Sequence, residues 1–185
     1  MKRKTFPISS LLIVSYFFAT ILIAIDIGLR TGGLRANDGF SFYGGFAQTV
    51  LLYTIALLSI ALCMFSIFKK LKNKKQTKKL ADVFLIMGFC LVGLVLTPHT
   101  VVNSIHTFFG AFLFAVQLLL MTYLSWRSRY AVVMLSTIAM LGFGIMAMLY
   151  LHPETGYELQ AQAGFQISFA AGLAYYFNRD KSFKV

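Results

Sequence analysis

Residues 46–96 read FAQTVLLYTIALLSIALCMFSIFKKLKNKKQTKKLADVFLIMGFCLVGLVL. Two apolar runs, 46–68 and 80–96, flank a short segment that holds seven lysines: Lys69, Lys70, Lys72, Lys74, Lys75, Lys78 and Lys79. This arrangement decides the fold class. About 20 mainly apolar residues are what an α-helix needs to cross the hydrocarbon of a bilayer. A backbone in lipid finds no water to bond with, so each run must satisfy its own amides as a helix. A strongly cationic turn between two such helices is retained in the cytoplasm.

Working outward from this hairpin, four more apolar runs appear: 8–27, 100–126, 130–151 and 161–177. The chain of 185 residues is 58% hydrophobic, with a mean hydropathy of +0.75 and only 12% charged residues. Soluble domains carry about 25% charge, so the bilayer must be the solvent for this surface. No short alternating segments of the kind that build a membrane β-barrel are visible. The expectation is an all-α, polytopic membrane bundle of six transmembrane helices forming a single domain over residues 1–185.

The charges assign its sides. Of the 17 basic residues, 15 fall before the first run, between the second and third, between the fourth and fifth, or after the sixth; only Arg30 and Arg35 fall elsewhere. That asymmetry places both termini in the cytoplasm and the loops 28–45, 97–99 and 152–160 outside, in a cell (inner) membrane. It also explains the net charge of +11 without nucleic acid. The partners expected are the bilayer itself and anionic lipid headgroups at the lysines of 69–79, where long cationic side chains snorkel to the interface. Tyr123, Trp126, Tyr130, Tyr175 and Tyr176 mark the inner interface, Tyr150 and Tyr157 the outer. The start, Met1-Lys2-Arg3-Lys4 before an apolar run, mimics a secretory leader. The run is too long for one and no small-residue cleavage site follows, so it reads as a retained first helix. Cys63 and Cys90 both lie in apolar runs, without metal or redox spacing, and read as reduced core residues.

The remaining polar groups gather on the outer side. All three histidines, His99, His106 and His152, are there, with Asp26, Asp38, Glu154 and Glu158. Thr97-Pro98-His99 reads as the start of the fourth helix, with threonine as its cap and proline in its first turn. On that reading His99, Asn103, His106, Gly110 and Gln117 share one helix face, and His106 lies about 10 Å below the helix start. In the sixth helix Glu158, Gln162 and Gln166 form one stripe. Gly164, Ser168 and Gly172 form another, suited to close helix contact. An outward-facing polar pocket follows, built from Asp26, Gln48, His99, Asn103, His106, Glu158, Gln162 and Gln166. It points to binding of a lipid or other amphiphile. Two other readings stand beside it: a membrane enzyme acting on lipid headgroups with His106 as base or metal ligand, and a structural or assembly subunit presenting the small-residue face. The same residues also serve as plain interhelical hydrogen-bond partners in many bundles. No motif calls for an enzyme, a cofactor or a resident metal; haem would need paired axial ligands deeper in the bundle.

The six-run plan, the basic loop after the second run, the segments Thr97-Pro98-His99 and His106-Thr107-Phe108-Phe109-Gly110, and Asp38-Gly39-Phe40-Ser41-Phe42-Tyr43-Gly44 together resemble small bacterial six-transmembrane-helix membrane proteins of unknown function. These are similar in plan to the DRAM-like and GPI-lipid-remodelling groups. The resemblance covers nearly the whole chain. It implies a six-helix bundle with an outward-facing polar cluster around His106, and it transfers no catalytic residue.

Overall fold

The structure is a computed structural model that describes residues 7–31, 39–99, 101–149 and 157–179. Lys2, Arg3, Lys4, Asp38, Tyr150, His152 and Glu154 lie outside the described residues. Six long helices account for most of the rest: α1 (Ile8–Thr31), α3 (Val50–Leu71), α4 (Lys78–Leu96), α5 (Asn103–Ser128), α6 (Ala131–Leu149) and α7 (Glu158–Arg179). A single helical turn, α2 (Phe40–Tyr43), precedes α3. There is no strand among the described residues.

Five of these helices, α1, α3, α4, α5 and α6, are long and apolar enough to cross a membrane. The chain is a multi-pass membrane protein. Its surface agrees: Leu51, Leu62, Phe89, Leu119, Leu135 and Met148 are all exposed, as lipid-facing side chains are and as a water-facing surface avoids. The sixth expected span, α7, is long enough at 22 residues but carries Glu158, Gln160, Gln162 and Gln166 in its first half. Its composition alone does not mark it as a span.

The helices form a closed ring. α1 packs on α3, α3 on α4, α4 on α5, α5 on α6, α6 on α7, and α7 returns to α1; α7 also touches α5. This places the least apolar helix in the most sheltered position. Every residue of α7 from 158 to 177 is buried or half-buried. In α6, by contrast, only Val133, Ser136, Thr137 and Met140 are buried. The core runs through Leu22, Met64, Phe84, Met121, Phe165 and Phe169.

The expected small-residue stripe of α7 is a contact surface within the chain. A side chain added at Gly164 would meet the Phe143 ring at 2.6 Å, and one at Gly172 would meet Met121 and Ser136. Glycine lets α7 lie directly against α5 and α6 there. The stripe is therefore not open to lipid as a docking face, as the assembly reading expected.

Turns differ from expectation in two places. Residues 46–49 lie in the turn before α3, where Val50 N–H donates to the Phe46 carbonyl at 2.8 Å. More consequentially, Thr97 closes α4 instead of opening α5. Its hydroxyl donates to the Gly93 carbonyl at 2.7 Å, and its amide to the same carbonyl at 3.0 Å. Pro98 then begins a turn whose carbonyl takes the amides of Val101 and Val102, and α5 starts only at Asn103. His99 is thus outside the helix. His106 is in the first turn of α5, three residues or about 4.5 Å from its start, not 10 Å.

The lysine turn is short and fixed. The Thr77 hydroxyl donates to the Leu71 carbonyl at 2.8 Å, closing the link between α3 and α4. All seven lysines stand exposed around it. α5 and α6 are joined by a still tighter turn, with Arg129 in the left-handed region at φ 53° and its amide bonded to the Ser125 carbonyl. Tyr130 and Tyr175 meet edge to face at this end of the bundle. Tyr176, expected at the interface, is buried beside them.

A candidate polar site beneath the cap

At the end opposite the lysine turn, residues 39–49 fold over the bundle as a cap. Aromatic packing seats it. The Phe40 ring stacks on Phe18 of α1 at 5.1 Å, Phe42 meets Phe46 at 4.4 Å, and Tyr43 is fully buried. The Thr49 hydroxyl donates back to the Tyr43 carbonyl and closes the cap on itself. At Gly39 the backbone comes so near Gln162 that any Cβ would lie 2.3 Å from its amide nitrogen. Glycine there leaves room for the Gln162 amide, which a larger residue would displace; its backbone angle is ordinary at φ −70°.

Two polar side chains of the long helices hold the cap. His106 of α5 is buried and both its ring nitrogens are engaged. Nδ1 is paired with the Thr97 carbonyl, and Nε2 lies 2.8 Å from Ser41 Oγ. A carbonyl only accepts, so Nδ1 carries the proton in the neutral ring; Nε2 then accepts from the Ser41 hydroxyl. Gln162 of α7 accepts the Phe40 amide at 2.8 Å through Oε1 and donates through Nε2 to Glu158 at 2.8 Å. One connected path therefore crosses the capped end: Thr97, His106, Ser41, Phe40, Gln162, Glu158.

A cavity of about 40 Å³ lies under the cap beside His106, lined in part by Ser41, Tyr53, Thr54, Pro98 and His99. It has room for roughly two or three water molecules. His99 is exposed but presents its ring to His106 edge to face, with centroids 5.8 Å apart.

The eight expected residues do not form one pocket. His106, Gln162 and Glu158 are joined through the cap, and His99 borders them. Asp26 is fully buried and meets Gln160 Nε2 at 3.5 Å, in a contact between α1 and α7. Gln166 pairs with Gln117 of α5, each amide donating to the other at 3.0 Å. Gln48 is exposed on the turn before α3. Asn103 is exposed and accepts from Thr107 at 3.0 Å. It opens α5 one turn before His106, as its spacing predicts, but its side chain bonds Thr107 and does not join the path through the cap.

Three participants escaped the sequence reading. Ser41 and the Phe40 amide lie in a glycine-bounded loop with no helical period to mark them. Gln160 sits two residues from Gln162 and so belongs to a different face. Its signal was only its presence in an apolar helix. No group of three His, Cys, Asp or Glu side chains converges as metal ligands among the described residues. The ring nitrogens of His106 face a hydroxyl and a carbonyl, not the carboxylate that the headgroup-enzyme reading expected.

The Gln117–Gln166 pair makes a stability prediction. Gln117→Leu or Gln166→Leu alone strands the facing amide and should cost about 1–2 kcal/mol; the double variant should recover most of the loss. Thermal unfolding in detergent of the four proteins of the cycle checks this. Strictly additive losses would show that the two amides do not depend on each other.

Compared with known proteins, the chain matches no protein-family model, no curated protein and no solved structure.

Proposed function

We propose that this protein is a six-span inner-membrane protein, termini cytoplasmic, that binds the polar head of a lipid or other amphiphile at its outer end. The cap of residues 39–49 closes over that site. The observation that carries the reading is the connected polar path from Thr97 to Glu158. Its central groups bond a removable segment. A ligand head that accepts and donates hydrogen bonds can replace Ser41 at His106 and the Phe40 amide at Gln162 without leaving either unpaired. The present cavity of about 40 Å³ takes only water-sized guests, so entry of a headgroup requires the cap to lift. The similarity in plan to the lipid-remodelling group is in keeping with such a ligand.

The orientation rests on the basic residues at the α3–α4 and α5–α6 turns and the end of α7. α7 counts as the sixth span because its polar side chains are sheltered by its neighbours. Alkaline phosphatase fused after Gly45 should be active, and fused after Lys74 or Val185 inactive. The reverse pattern at Lys74 and Val185 would invert the protein.

Ligand binding is tested with a diazirine-bearing phospholipid in the purified full chain. Labelled peptides should map to residues 39–54 and 94–106, and labelling there should fall severalfold in His106→Ala/Gln162→Ala. Labelling confined to the outward faces of α3 and α6, and unchanged in the variant, would rule the outer site out.

One observation favours a second reading, a hydrolase or acyl transferase. Ser41 Oγ bonds His106 Nε2 at 2.8 Å, while Thr97 orients the ring through Nδ1, as a nucleophile, base and orienting group are arranged. A fluorophosphonate probe should then label the parent in membranes and leave Ser41→Ala unlabelled. Failure to label the parent removes this reading and leaves the binding site untouched.

A further inference from the structure

We propose that the groove between α4 and α5 at the lysine-rich end is a specific site for one anionic phospholipid. It is separate from the outer cap and does not depend on that reading. The groove has a volume of about 660 Å³, within the usual range of ligand sites, roughly 300–1,000 Å³.

Its two ends differ in chemistry. Lys75 and Lys79, from the turn and first residues of α4, line one end together with Arg127 at the end of α5. Tyr123, one turn before Arg127, also lines it and accepts from Arg127 Nη1 at 3.0 Å, which orients the guanidinium. Among the described residues no carboxylate lines the groove; the exposed Asp82 lies one helical turn beyond Lys79. The wall away from the cations is aliphatic: Leu80, Val83 and Ile86 from α4, Val116, Leu119 and Leu120 from α5. Lys79, Val83 and Ile86 follow one helix face at spacings of four and three, and Val116, Leu120, Tyr123 and Arg127 do the same on α5. The aliphatic wall thus extends about 10–16 Å from the charged end along the two helices. Ile86, Leu119 and Tyr123 remain exposed, so the groove opens sideways.

A cationic mouth at one interface over an aliphatic trough that opens into lipid suits a molecule with an anionic head and an acyl chain. The phosphate sits between Lys75, Lys79 and Arg127, with the guanidinium offering paired donors. The chain lies along Val83 and Leu119. Delocalised attraction of anionic lipid to the lysine turn would use all seven lysines about equally. The groove uses two of them and recruits an arginine from a different turn.

That difference gives the test. The full chain, in a non-ionic detergent, is titrated with fluorescent phosphatidylglycerol. Lys75→Gln/Lys79→Gln/Arg127→Gln should weaken saturable binding about tenfold or more; Lys69→Gln/Lys70→Gln/Lys72→Gln, with the same change in net charge, should alter it less than about twofold. Val83→Trp keeps every cation and fills the trough, and should also abolish saturable binding. Inorganic phosphate at millimolar concentration should not compete, and phosphatidylcholine should not bind saturably. Equal losses in the two triple variants would overturn the proposal in favour of diffuse attraction. Unchanged binding in Val83→Trp, or displacement by phosphate alone, would overturn it in favour of a headgroup contact without a chain site. All six charged positions changed are exposed, and a thermal unfolding midpoint matching the parent's checks that each variant, Val83→Trp included, is folded.

Discussion

A carboxylate and three glutamine amides on one helix cannot face hydrocarbon, and the bundle is arranged around that constraint. Each unpaired polar group in lipid costs several kcal/mol. Glu158, Gln160, Gln162 and Gln166 therefore need partners from protein. α7 finds them by sitting where α1, α5 and α6 surround it, and its glycines draw α5 and α6 close enough to seal it. The five apolar helices supply the wall against lipid. The most polar of the long helices, α7, is also the most deeply enclosed.

The partners these amides take divide their roles. Gln166 closes on Gln117 in a reciprocal pair that satisfies both side chains without reference to anything outside the bundle. Gln160 meets Asp26 and ties α7 to α1. Gln162 alone reaches past the helices, to the backbone of the cap. His106 does the same from α5. The interior pairs act as structural fasteners. The two contacts to the cap hold a segment with no long helix of its own. Between modest interhelical bonds and a ligand site, the distinguishing feature is what lies at the far end of each bond, not the residue type.

The two ends of the molecule use polarity differently. At the capped end neutral amides, a histidine and a serine form a directional, largely half-buried path beside a small cavity. At the other end charge is abundant, exposed and mobile on long side chains, around a turn that the Thr77 hydroxyl closes. Only the subset that meets an apolar groove, Lys75 and Lys79 with Arg127, acquires a shape that discriminates among anions.

The helical membrane class, the number of long helices and their approximate limits were all legible in the chain. Length and apolar composition are local quantities, and a lipid environment leaves the backbone no alternative to the helix. That His106, Gln162 and Glu158 need polar partners was legible too, since polar groups in apolar runs are costly wherever they point. Their partners were not. The sequence pattern put His99 on a helix with His106, but Thr97 capped the preceding helix and the turn at Pro98 delayed α5 to Asn103; Asn103 does share that helix, yet bonds Thr107 instead of the cap. Gln48 looked equivalent to Gln162 and turned outward. Ser41, 65 positions before His106, carries no periodic signal at all. Which polar groups meet is decided by the order of helices in the ring and by the path of the cap. Both are set by packing between distant segments, which a local pattern does not encode.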